Sequence, residues 1–251
     1  MDLKEPVLLN EEKKGSKFPR TVIVEDLGRI DYRSAWDYQE KLFNALVQNK
    51  ISNREKSIAE QNIPDHHFLF CEHGPVFTLG KSGSMKNLLV NQDVLNEKQI
   101  SFFKINRGGD ITFHGPGQIV GYPILDLDYF FSDIGKYLRL IEETIILTLA
   151  EYGIAAGRTK GETGVWLEPD SPSRARKICA IGVRSSRWVT MHGFAFNINT
   201  DLSYFDLIIP CGIQGKQVTS LQKELGRAID MDEVKEKIIR HFALLFETEI
   251  K

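Results

Sequence analysis

Three cysteines are the candidate nucleophiles of this chain, and their neighbours separate them. Cys71 closes His67-Phe-Leu-Phe-Cys71, and Cys179 alternates with Ile178 and Ile181. Both contexts read as strand interior, where a free thiol behaves as a small buried hydrophobe. Cys211 stands between Pro210 and Gly212 after Leu207-Ile-Ile209, an irregular turn that suits either an accessible thiol or a packed one. A reactive thiol needs help at pH 7, because a free pKa of about 8.5 leaves only a few per cent as thiolate. Lowering it by about two units takes roughly 2.7 kcal/mol. An ammonium about 4 Å away supplies that, since the Coulomb term is about 4 kcal/mol at an effective dielectric near 20. Taken by itself, Lys177 beside Arg174 and Arg176 reads as a surface lysine at a strand start.

A second chemical feature is Arg107-Gly-Gly-Asp-Ile-Thr-Phe-His-Gly-Pro-Gly-Gln118, between the strand-like runs Ser101-Phe-Phe-Lys-Ile-Asn106 and Ile119-Val-Gly-Tyr-Pro-Ile-Leu-Asp-Leu127. Four glycines and a proline predict a loop across these twelve residues, because such residues disfavour element interiors. Either this is a plain hairpin connection or backbone approaches a ligand here, and its length with Arg107, Asp110, Thr112 and His114 favours the latter.

The same twelve residues resemble the signature of the lipoyl(octanoyl) transferases. Three more blocks match in order: Glu72-His-Gly-Pro-Val-Phe-Thr-Leu-Gly80, Arg176-Lys-Ile-Cys-Ala-Ile-Gly-Val-Arg184 running into Trp188-Val-Thr-Met-His-Gly-Phe-Ala-Phe-Asn-Ile-Asn199, and Phe205-Asp-Leu-Ile-Ile-Pro-Cys-Gly-Ile213. The resemblance spans about residues 20 to 225 and departs at Cys179, where a small residue such as alanine is expected. It implies that Cys211 carries an acyl thioester and that Lys177 is its partner, a coupled dyad in which lysine steadies the thiolate and then serves as base. It also implies a substrate wall of Arg107, Gly108, Gly109, Asp110, Ile111, Thr112, Phe113 and His114, joined by Ala180, Ile181, Gly182, Gly193, Phe194 and Ala195. His192 is a further possible member. Small residues there leave room for an acyl chain and offer backbone N–H groups to a developing oxyanion.

The activity implied is transfer of an octanoyl group from octanoyl-acyl carrier protein to a lysine of lipoyl domains, in 2-oxo acid dehydrogenases and the glycine-cleavage H protein. Alternatives are an ATP-dependent lipoate–protein ligase of the same fold, or a non-catalytic protein that binds lipoyl domains. No cofactor and no metal are expected, since His66-His67 lacks converging ligands. Gly80-Lys-Ser82 lacks the spacing of a phosphate loop.

The elements that must position these residues alternate. Strands are expected at 21–24, 67–71, 75–79, 163–167, 177–184 and 188–199, with a turn at His73-Gly74 and a hairpin about Arg184-Ser-Ser-Arg187. Amphipathic spacing predicts helices over 31–49, 133–152 and 231–248. The fold class is α+β, a mixed and mainly antiparallel sheet with flanking helices. The resemblance adds a catalytic fold like that of biotin and lipoate ligases, with a small C-terminal subdomain.

The expected division is a polar extension at 1–20, a catalytic domain at 21–214 and the subdomain at 215–251. A chain of 251 residues, 42% hydrophobic, suits one large domain or a domain with a small appendage. Its net charge of −2 marks no nucleic-acid binder, and no apolar run reaches the roughly 20 residues of a membrane span. The first twenty residues lack the apolar core of a targeting segment. With three scattered cysteines, a monomer in the reducing cytoplasm is expected.

Overall fold

The strand β2 (His66–Glu72) shows how this chain builds its core. Side chains alternate across a sheet, so Phe68 and Phe70 join one apolar cluster while Leu69 and Cys71 join another on the opposite face. The computed structural model describes residues 20–171, 173–210 and 217–251. In chain order its strands are β1 (Thr21–Arg29), β2, β3 (Val76–Leu79), β4 (Ser101–Lys104), β5 (Ile111–His114), β6 (Gln118–Ile124), β7 (Ala156–Gly157), β8 (Val165–Leu167), β9 (Arg176–Ser186), β10 (Val189–Asn197), β11 (Gln217–Val218) and β12 (Glu249–Ile250). The helices are α1 (Tyr32–Ser52), α2 (Gln92–Glu97), α3 (Ile134–Ala150), α4 (Leu221–Leu225) and α5 (Met231–Phe246).

The main sheet runs β12-β1-β2-β6-β10-β9-β8-β7, with β11 pairing to β9. Its central pairs are antiparallel, whereas β1 pairs in parallel with β2 and β12, and β11 with β9. This is the expected mixed, mainly antiparallel α+β arrangement. Helix α1 covers one face through Ala35, Phe43, Leu46 and Val47, and α3 and α5 cover the other. Each long helix starts at an aspartate, Asp31, Asp133 or Asp230, whose carboxylate accepts from backbone N–H groups of the first turn. The predicted stripe of α3 is real: Ile141, Ile145 and Leu149 are fully buried.

Three expectations change. Residues 111–114 are not loop but the strand β5, because Ile-Thr-Phe-His between the glycine pairs is β-prone and pairs with Val76–Leu79. Second, β2 and β3 do not pair across the His73-Gly74 turn, since β3 is the centre of a separate sheet, β4-β3-β5. Third, the hairpin turn lies at Arg187 and Trp188, both left-handed with φ of 52° and 65°, two residues beyond the expected centre of the turn. Residues 217–251 contribute Leu221, Ile229, Val234, Ile238, Phe242 and Phe246 to the core that holds Phe68, and β12 to the edge of the main sheet. No described helix is long and apolar enough to cross a membrane.

Candidate active site

Between the small sheet and strands β6, β9 and β10 lies a cavity of about 540 Å³. Its wall contains Arg107, Gly108, Gly109, Asp110, Ile111, Thr112, His114, Lys177, Ala180, Ile181, Gly182, His192, Gly193, Phe194 and Ala195. Phe113 is not among the lining residues, and packs instead against Phe77, Tyr204 and Phe205. Cys211 lies outside the described residues. Of the described residues nearby in the chain, Pro210 and Val218 line the cavity, and Val218 pairs with Lys177 across β11 and β9.

The glycine-rich motif is tied down by its own polar residues. Arg107, buried, donates from Nη2 to the carbonyl and Oγ1 of Thr78 at 2.7 and 2.9 Å. Thr78 in turn faces His114 Nε2 at 3.4 Å, and His114 Nδ1 lies 3.0 Å from Gln118 Oε1. Gln118 Nε2 donates to Asn197 Oδ1, Asn197 Nδ2 donates to the Thr219 carbonyl, and the Thr219 N–H donates to the Lys177 carbonyl. A line of hydrogen bonds thus joins the arginine of the motif to the backbone of the candidate lysine. In this line His114 is neutral, its pKa held well below the ordinary value by burial and then by His73 and Arg107.

Asp110 accepts from the N–H groups of Ile111 and Ser84 and from the side-chain amide of Asn87. The Asn87 carbonyl receives the Ile209 N–H at 2.8 Å. Asp110 therefore anchors the segment that leads into Cys211. His192 sits mid-strand with φ +58°, a conformation that costs of order 1–3 kcal/mol in a non-glycine residue. Its N–H donates to Oε1 of the fully buried Gln39, and its Nε2 lies 2.9 Å from Asn106 Oδ1. Burial and then the charges of Arg107 and Arg184 press its pKa down to about 3, so it too is neutral.

The glycines are not all there for the acyl chain. A β-carbon on Gly182 would meet the Gly108 carbonyl oxygen at 2.9 Å, and one on Gly193 the Gly121 oxygen at 2.1 Å. Of the backbone N–H groups that the sequence offered to an oxyanion, that of Gly108 donates to the Val183 carbonyl at 2.9 Å. The described cysteines fit their inert reading: Cys71 and Cys179 are buried, and burial pushes both thiols up.

Sequence reasoning missed Tyr32, Tyr122, Leu138, Glu162, Thr163 and Asn197 in the wall. Asn197 and Gln118 lie inside the matched blocks but carry no charge to draw attention. Tyr32 and Leu138 read only as helix stripe, and their part in the cavity follows from long-range packing.

The sequence profile described as lipoyl protein ligase A/B catalytic domain matches residues 31–243. An octanoyltransferase of Flavobacterium johnsoniae is 62% identical over 233 residues, 92% of this chain and 99% of that protein. Among solved structures, a bi-partite lipoate protein ligase from Thermoplasma acidophilum is similar with a TM-score of 0.63 at 16% identity, covering 93% of this chain and 85% of that one. A biotin protein ligase from Aquifex aeolicus in complex with biotin and ATP gives a TM-score of 0.50 at 14% identity, over 92% and 71% of the two chains. At these identities the structures speak for the fold alone.

Proposed function

Because this chain belongs to the lipoyl protein ligase A/B catalytic family and is an acyltransferase that transfers octanoyl groups in protein lipoylation, we propose that it works by ping-pong chemistry through Cys211. The Cys211 thiolate attacks the carbonyl of octanoyl-acyl carrier protein. A new C–S bond forms, the acyl bond to the carrier sulfur breaks, and the carrier leaves as a thiol with a proton taken from Lys177, which is left as the neutral amine. The amine of a target lysine then attacks the stored thioester, an amide forms, and the Cys211 sulfur departs as thiolate while the amine's surplus proton passes to Lys177. Acceptors are lipoyl domains of 2-oxo acid dehydrogenases and the glycine-cleavage H protein. The substrate wall is the cavity set named above, with His192 as a neutral neighbour. The protein acts as a monomer in the cytoplasm, a setting that suits the free thiols of Cys71 and Cys179.

One observation carries this reading. Lys177 and Pro210, the residue that precedes Cys211 in the sequence, line the same cavity. An ammonium beside a thiol favours the thiolate, which is the help that Cys211 needs at neutral pH.

Intact-mass analysis after mixing with octanoyl-carrier, without nucleotide, tests it. The protein gains one octanoyl mass that hydroxylamine removes and that maps to Cys211. Cys211→Ala abolishes the adduct, whereas Cys71→Ala and Cys179→Ala retain it. Transfer to an apo lipoyl domain proceeds without ATP or magnesium. A strict ATP requirement, with free octanoate the better donor, would overturn the thioester reading.

A further inference from the structure

The segment from Thr163 to Leu167 reads in the sequence only as a strand, yet it forms the bed of Lys177. Trp166 and Lys177 are register partners across β8 and β9, and Lys177 Nζ lies 4.6 Å from the centre of the indole ring. Trp166 is 1% exposed and is not among the residues lining the cavity, so it stands behind the lysine and not on the cavity surface. Gly164, with φ +129°, lets the strand pass close. A β-carbon there would meet the Cys179 carbonyl oxygen at 2.7 Å and the Lys177 methylenes at 3.5 and 3.6 Å. The Gly164 N–H donates to Oε1 of Glu142 at 3.0 Å, and Glu142 is itself held by Arg139 and Arg158 at 2.8 Å each.

We propose that Trp166 is the positioning residue for Lys177, its indole face seating the ammonium at the cavity wall while Glu142, through Gly164, fixes the strand that carries the ring. This rests on the reading that Lys177 acts with Cys211. An ammonium drawn out of water needs a partner, and the negative face of an indole supplies one. Among the described residues, the charged or titratable groups near Lys177 include Arg176 and Cys179 on its strand, Glu162 and Arg107 on the wall of the same cavity, and Glu142, which accepts from Gly164. Arg176 is paired with Glu168 and Glu224, and Glu142 with its two arginines.

Fluorinated tryptophan tests the seat without changing its shape, because each fluorine weakens the ring's negative face. The chain holds three tryptophans, Trp36, Trp166 and Trp188, and all take up the analogue. The readout is acetylation of Lys177 by a succinimidyl ester at fixed pH, followed by peptide mass spectrometry. The rate rises stepwise from mono- to trifluorotryptophan, by about tenfold across the series. The same series in Trp166→Phe, where only Trp36 and Trp188 carry fluorine, is flat. A flat series in the unsubstituted chain overturns the proposal. Trp166→Phe also lowers kcat for octanoyl transfer at unchanged KM, and a raised KM at unchanged kcat overturns it as well. If acetylation climbs with fluorination while transfer stays constant, the seat stands and the assignment of Lys177 to the chemistry falls.

Discussion

The carbonyl oxygen of Gly121 stands 2.1 Å from the point where a β-carbon on Gly193 would lie, and Pro123 Cδ stands 2.8 Å from it. The neighbours β6 and β10 close on each other there only because position 193 has no side chain. A residue read from the sequence as room for an acyl chain is therefore first a condition of the sheet.

Gly193→Ala is expected to destabilise the fold by about 2–3 kcal/mol, since a buried backbone cannot give way as a side-chain tip can. The melting temperature should fall by roughly 5–10 °C. Gly108→Ala is the contrast. Its β-carbon would meet only the Val183 carbonyl oxygen at 3.5 Å, so the melt should be unchanged while octanoyl transfer slows as the cavity narrows. Equal melts for both variants would show that the strand pair can part at Gly193.

Burial that pushes the Cys71 and Cys179 thiols up leaves them unreactive in the native protein. Iodoacetamide at pH 8 should modify one cysteine, mapped to Cys211, and all three only after unfolding. Faster labelling at Cys179 would move the nucleophile to β9.

Replacing Lys177 with Ala removes the cation expected to favour the Cys211 thiolate. Alkylation of Cys211 at pH 6.5 should slow by about tenfold or more, and the difference from wild type should close above roughly pH 9, where a free thiol is ionised anyway. Lys177→Arg should keep much of the alkylation rate yet lose octanoyl transfer, because arginine does not take part in proton exchange at these pH values. Wild-type transfer by Lys177→Arg would remove the base role.

Asp110→Asn turns one acceptor oxygen into a donor facing backbone N–H groups and the Asn87 amide. Leaving such groups unpaired costs about 1–3 kcal/mol. Steady-state kinetics should show a fall in kcat of about tenfold, since the segment tied through Asn87 and Ile209 leads to Cys211, with KM for the octanoyl donor little changed. A raised KM at unchanged kcat would instead place Asp110 on the substrate.

Glu151, at the end of α3, meets Arg240, Lys237 and His241 of α5, and the Arg240 bond leads in drawing its pKa down to about 2. A carboxylate depressed in the folded state stabilises above its unfolded value near 4.3, and this contribution is lost as pH falls towards about 2. Thermal melts between pH 4.5 and pH 2 should therefore decline less steeply in Glu151→Gln than in wild type. Parallel declines would show that the α3–α5 contact rests on its apolar residues alone.

The sequence by itself determined what is local. The spacing of Ile141, Ile145 and Leu149 marks a helix and its apolar stripe, the apolar run from Phe68 to Cys71 marks a strand, and the motif blocks name the family. Through the resemblance those blocks carry, it also singled out about half of the described residues that line the cavity. Tertiary structure decided the rest. Periodicity says that a face is apolar and not which element covers it, so Leu138 could not be told from core and Trp166 could not be placed beneath Lys177. The strand at 111–114 was hidden by its flanking glycines, since a β-strand of four residues is stabilised by its partner, here Val76–Leu79, and not by its own composition. The need for glycine at 193 is set by a carbonyl on another strand. Close approach between segments distant in the chain is a property of their packing, and no local pattern records it.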